Sequence, residues 1–215
     1  MKNLTILTIA AFLCVSLSSS LTAQKLYVES GTSITNFEFL NSEGETYESF
    51  QPKSNSIMSA GYRYFYKEGL SFFGGLGYSG FGAVGSDTTY NNYVEYDLHY
   101  VQLNVGGEQE IYTINDQVSF YLKASISAGL MVAGTQVLNN SIYDISGHSD
   151  FGDVLLSGYV GFRANLSLCK GVDIYGQALY GINDPIPVNR SQDIERVRMK
   201  GTNISFGLLV DLIKE

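Results

Sequence analysis

VSFYLKASISAGLMV, residues Val118–Val132, decides the fold. Every second side chain is apolar: Val118, Phe120, Leu122, Ala124, Ile126, Ala128, Leu130 and Val132. Between them stand Ser119, Tyr121, Lys123, Ser125 and Ser127. Successive side chains of a strand point to opposite faces, so this period of two describes one greasy and one polar surface. The apolar row is as long as a tilted strand needs to cross a bilayer, roughly 9–11 residues.

Working outward, seven further runs share the alternation. The first covers about Leu26–Phe39, and its apolar positions change parity near Ser33–Thr35, which predicts a bulge. SIMSAGYRYFYK (Ser56–Lys67) and LSFFGGLGYSGFG (Leu70–Gly82) form a hairpin about a KEG turn. YVEYDLHYVQLNVGG (Tyr93–Gly107) sets Val101, Leu103 and Val105 against Gln102 and Asn104. Beyond the opening stretch come Val154–Leu166, Val172–Tyr180 and the closing GTNISFGLLVDLIKE (Gly201–Glu215).

Long polar connections alternate with short ones. Those after the first, third, fifth and seventh runs are long; KEG and LCKG are tight; EQEIYTIND (Glu108–Asp116) is intermediate. Tyrosines close the apolar faces: Tyr64 and Tyr66 at one end, Tyr78 and Tyr180 at the other, as amphipathic rings do at headgroup level. The expected fold is all-β: an eight-stranded antiparallel up-and-down transmembrane β-barrel with short periplasmic turns and longer external loops. An even strand count puts both termini on the periplasmic side.

The start of the chain agrees with that address. Lys2, the apolar Leu4–Leu17 and the small residues ending at Ala23 read as a signal peptide over residues 1–23, leaving residues 24–215 as one barrel domain. Of two cysteines, only Cys169 then remains, so an internal disulfide is excluded. A formal net charge of −8, with no basic stripe in the sequence, argues against nucleic acid as a partner.

The polar faces of the runs carry Glu29, Arg63, Lys123, Arg163, Asp173 and Asp211. In a membrane barrel these six point into a narrow lumen, all in the periplasmic half, where they pair rather than lie buried alone. An eight-stranded barrel is about filled by its own side chains, so a polar plug without an open pore is expected.

SAGYRYFYKEGLSFFGGLGYSG, Tyr93–Gly107 and the final strand together resemble the small outer-membrane β-barrel proteins common in Bacteroidetes, OmpA/PorT-like barrels in architecture. The likeness covers the whole of residues 24–215. Ser205, Gly207, Val210 and Leu212 resemble the C-terminal assembly signal of such barrels, although Ile213, Lys214 and Glu215 stand where an aromatic usually closes it. The resemblance implies outer-membrane lipid, lipopolysaccharide and the barrel-assembly machinery as partners, with a larger outer-membrane complex as a further one.

Some small barrels are enzymes, and histidine is the usual general base. His148 lies among Asp144, Ser146, Ser149, Asp150 and Asp153 in the third external loop. His148, Ser149 and Asp150 supply the residue types of a triad, but a triad is recognised by geometry and not by adjacency. His99 shares the parity of Val101 and Leu103 and so faces lipid without a polar partner. The acidic loops around Glu43–Glu48 and Asp87–Asp97 lack calcium-loop spacing, and no motif asks for a metal or cofactor. The favoured reading is a non-enzymatic barrel with a structural or interaction role. A lipid A-modifying enzyme using His148, a narrow channel and a soluble exported barrel for a hydrophobic ligand stand as alternatives.

Overall fold

The structure is a computed structural model and describes residues 24–40, 46–87, 92–115, 117–146, 154–190 and 193–212. The expected signal segment and the loop residues His148, Ser149 and Asp150 lie outside the described residues. In chain order the strands are β1 (Gln24–Leu40), β2 (Thr46–Ser49), β3 (Gln51–Lys67), β4 (Leu70–Asp87), β5 (Asn92–Ile114), β6 (Val118–Leu138), β7 (Ser141–Asp144), β8 (Leu155–Cys169), β9 (Val172–Asn183), β10 (Ile186–Arg190) and β11 (Asp193–Asp211).

Eight of these close into a ring in the order β1–β3–β4–β5–β6–β8–β9–β11, each antiparallel to its neighbours. β11 completes it on β1 in unbroken register, from Lys25 opposite Asp211 to Leu40 opposite Arg196. A closed sheet has no edge, so backbone donors and acceptors are paired all the way round, as a bilayer interior demands.

The short strands β2, β7 and β10 pair with the ends of β1, β6 and β11. They extend the wall at the long-loop end. At the opposite end lie three tight turns and both termini of the described barrel. Gly69 (φ 74°) and Gly171 (φ 85°) take the left-handed conformation that two of these turns require. The third turn corrects the sequence reading of an intermediate loop. β5 runs to Ile114 and β6 resumes at Val118, with Thr113 opposite Ser119. Asn115 at φ 50° makes the reversal, so Ile111–Thr113 belong to the wall.

β1 has no bulge at Ser33–Thr35. Its pairing with β11 is continuous through Ser33–Thr35, and Tyr27, Ser33, Thr35, Phe37 and Phe39 all lie buried on the inward face. What changes there is the residue type the interior accepts. The apolar positions Leu26 and Val28 face out, whereas Phe37 and Phe39 face in. The same inversion occurs on β5, where Tyr96, Leu98 and Tyr100 are interior and Val101, Leu103 and Val105 are outside. On β11, Val197 and Met199 are interior while Ile204, Phe206 and Leu208 are outside.

The wall therefore has two storeys. The lower one is greasy outside, with Leu122, Ile126, Leu130, Phe162 and Phe206 among its exposed residues. The upper one packs Phe37, Phe39, Phe50, Phe81, Tyr96, Leu98, Leu155 and Met199 into one interior cluster, as a water-soluble core would. The sequence predicts a polar plug; the upper lumen is filled instead by aromatic and aliphatic side chains. On β5 the upper storey takes residues 92–100, which at about 3.3 Å per residue and ~40° tilt stand about 20 Å beyond the apolar belt.

Candidate functional site: the charged floor and the long-loop rim

Below the apolar cluster the interior is ionic. Glu108 on β5 sits between two guanidiniums, with Arg63 Nε at 2.9 Å and Arg163 Nη2 at 2.8 Å from its Oε1. Ser71 Oγ donates to the same oxygen at 2.8 Å. The Arg163 contact is a hydrogen bond; the Arg63 contact is Coulombic, without hydrogen-bond angles. Relative exposures of 1% for both arginines and 2% for Glu108 close the triad off from bulk solvent. The rings of Tyr121 and Tyr175 flank Arg163 at 4.2 and 5.3 Å, adding cation–π contacts.

Glu29 accepts hydrogen bonds from Ser59 Oγ (2.8 Å), Tyr175 OH (2.7 Å) and Gln177 Nε2 (2.9 Å). Lys123 donates to Gln177 Oε1 at 2.8 Å and lies over the Phe73 ring. Nearer the turns, Lys25 bridges Asp173 (2.7 Å) and Asp211 (3.1 Å). The six charges read from sequence thus all line the turn-side half, but two groups outside that set join them. Glu108 neutralises the arginines and Lys25 the aspartates. A cavity of about 50 Å³ remains beside Glu29 and Lys123, room for a few water molecules.

The residues of the assembly-like segment divide by face. Ser205 is buried and accepts from Gln177 Nε2 at 2.9 Å, and Gly207 lies under the Tyr175 ring. A Cβ at Gly207 would come 2.4 Å from Tyr175 Cζ, so only glycine lets that ring lie flat on the wall. Val210 and Leu212 are exposed on the outer face.

At the rim, Lys53 binds Glu95 at 2.8 Å and Asp97 at 2.7 Å, and Asn55 Nδ2 donates to Asp97 Oδ1. Hydrogen bonds from Lys53 and then Tyr93 hold the Glu95 carboxyl below its ordinary range. Burial pulls the Lys53 amine down, but its bonds to Asp97 and Glu95 outweigh that and carry it above its ordinary value.

His99 does have a polar partner, contrary to the sequence reading. Its Nε2 lies 3.3 Å from Asp97 Oδ1, two residues along the same face, and its ring stacks on Tyr78 at 5.4 Å. The other ring nitrogen, Nδ1, is buried without a hydrogen-bond partner. The imidazole is thus held between the Asp97 carboxylate and the Tyr78 ring.

A closed antiparallel ring, greasy outside and polar within over one storey, is the fold of an outer-membrane β-barrel protein. No protein-family model matches the chain, and none of the curated proteins searched does. Solved structures similar to it are barrels of this class. Neisserial surface protein A is 16% identical, with a TM-score of 0.48 over 87% of this chain and 97% of that one. The attachment invasion locus protein of Yersinia pestis is 11% identical, with a TM-score of 0.38 over 86% of this chain and 99% of that one. The outer membrane protease OmpT of Escherichia coli is 8% identical, with a TM-score of 0.48 over 89% of this chain and 97% of that one.

Proposed function

We propose that the chain is a non-enzymatic integral protein of the outer membrane of a Gram-negative bacterium, both termini periplasmic. In this reading it serves as a rigid post that presents its long-loop end to partners. The supporting observation is the inversion of apolar parity. The interior turns hydrophobic where the exterior belt ends, so the projecting storey has a packed core of its own. A wall filled by ion pairs below and by aromatics above is built to hold shape, not to pass solutes. Its extended hairpins are then the contact surface, whether for envelope integrity, surface contacts or a place beside a larger transport or secretion complex.

Two arginine substitutions test the membrane part. Ile126 (65% exposed) lies on the β6 apolar row and Ile142 (74% exposed) on the β7 hairpin. Ile126→Arg is expected to cost about 2–4 kcal/mol of folding stability in bilayers, and Ile142→Arg under about 0.5 kcal/mol. Equal effects would overturn the membrane assignment. The role is tested by shortening the β6–β8 connection in cells. Expected is a barrel that still assembles in the outer membrane but alters envelope permeability or surface binding. An assembled, fully shortened barrel with no such change refutes the presenting role.

A further inference from the structure

The outer face of β11 changes character at one height. Below lie Ile204, Phe206 and Leu208; directly above, on the same face, stand Arg196, Arg198 and Lys200, alternating with the interior residues Val197 and Met199. In a chain with 21 acidic and 13 basic residues, three bases in one column are a marked local excess. Lys200 is ion-paired with Glu38 on β1. Among the described residues, neither Arg196 nor Arg198 is ion-paired, and Arg198 forms part of the mouth of a groove.

That groove, about 670 Å³, descends the lipid-facing wall between Leu103, Ile126, Leu156 and Ile182. Its bed exists because Ala128 and Gly158 stand where larger side chains would fill it. A Cβ at Gly158 would meet nothing within 4 Å, so neither packing nor turn geometry calls for glycine there. Exposed Asp184 shares the mouth and Glu38 stands opposite Arg198 on β1, and both limit the positive charge; Glu38 is engaged by Lys200, and among the described residues Arg198 forms an ion pair with neither acid.

The geometry points to a lipid site: a phosphorylated, multiply acylated lipid of the outer leaflet, of the lipopolysaccharide class, with a phosphate on Arg198 and one acyl chain in the Ala128–Gly158 groove. Guanidinium groups bind phosphate oxygens bidentately, and basic side chains at a membrane surface draw anionic headgroups. The apolar bed directly below the base selects a phosphate that carries chains over a free anion. This assignment rests on the proposed outer-membrane reading, which places the long-loop rim in the outer leaflet.

The test uses the full chain refolded into vesicles of phosphatidylcholine doped with lipopolysaccharide, with co-purifying lipid counted by native mass spectrometry. Arg198→Gln and Gly158→Leu are each expected to reduce retained lipopolysaccharide about tenfold relative to the parent barrel. Dephosphorylated lipopolysaccharide should be retained like the Arg198→Gln case, and inorganic phosphate alone should neither bind nor compete. Retention unchanged in both variants, or equal retention of the dephosphorylated lipid, overturns the site. Free phosphate competing as well as the lipid overturns it too, in favour of a plain anion site. Gel-shift assay of heat-modifiability confirms folding, and Gly158→Leu decides alone if the charge variant does not fold. If Ile126→Arg proves harmless the membrane reading has failed; if it is costly and retention does not change, only the lipid site has.

Discussion

Glu108→Gln separates a dry barrel floor from a wet one. The substitution keeps the side chain's shape and the Ser71 hydrogen bond but removes the negative charge that bridges Arg63 and Arg163. A charge pair about 4 Å apart is worth about 4 kcal/mol at an effective dielectric of 20. Two such attractions are lost here, and part is returned because a carboxylate no longer has to be desolvated. Removing one partner from a buried ion pair typically costs about 3–5 kcal/mol, and that range is expected for Glu108→Gln. A loss of that size is a large share of the roughly 5–15 kcal/mol that holds an ordinary domain together. Because the chain contains no tryptophan, the assay is the gel-mobility difference between folded and unfolded barrel, followed through urea in lipid vesicles. An apolar replacement of the whole triad, Arg63→Met with Glu108→Leu and Arg163→Met, should recover most of the loss, since none of these three charges then has to be buried. If Glu108→Gln changes stability by less than about 1 kcal/mol, the pairs behave as solvated ones and the closed floor is refuted.

Two other perturbations address the projecting storey. Leu98→Ala removes a fully buried side chain from the upper cluster and should cost about 2–5 kcal/mol, read from the same urea curves; a change below about 1 kcal/mol would mean that storey has no packed core. Glu95 is held below its ordinary pKa, so its stabilising contact is complete above its unfolded value and fades as pH falls through the folded one; the raised Lys53 loses its contact only at the alkaline end. Amide exchange around Tyr93–Asp97, corrected for intrinsic rate, should therefore show less protection at pH 3 than at pH 7, and unchanged protection would remove the Lys53–Glu95 link as a support of that hairpin.

How far the sequence could be read depends on which side of each strand is wet. Along Val118–Val132 one face meets lipid and the other the lumen, so alternation alone yields strand, face and ring. Along β1 and β5 the same rule meets two solvents in succession. On β1 the apolar face swaps without any slip of register; on β5 the pairing with β4 also runs on unbroken, while the pairing with β6 shifts by one residue at His99/Tyr100. A swap read with only one solvent in mind looks like a bulge at Ser33–Thr35, yet β1 and β11 stay paired residue for residue across it. The missed residues have a related cause. Glu108 continues the inward row Gln102–Asn104–Gly106, but a strand that ends at Gly107 leaves its carboxylate in a loop and the arginines without this partner. Lys25 lay one residue before the first run, and Asp97 lay two residues from His99 in a stretch treated as external. Pairing partners across a barrel come from strands far apart in sequence, Arg63 with Glu108 and Arg163 with the same carboxylate, so spacing cannot reveal them. Once the ring is closed, however, inward parity and equal distance from the turns suffice to bring them together. The parity swap then becomes a measuring mark. On strands long enough to leave the bilayer, the residue at which apolar side chains change face gives the height of the interface, and the bases of β11 stand immediately above it.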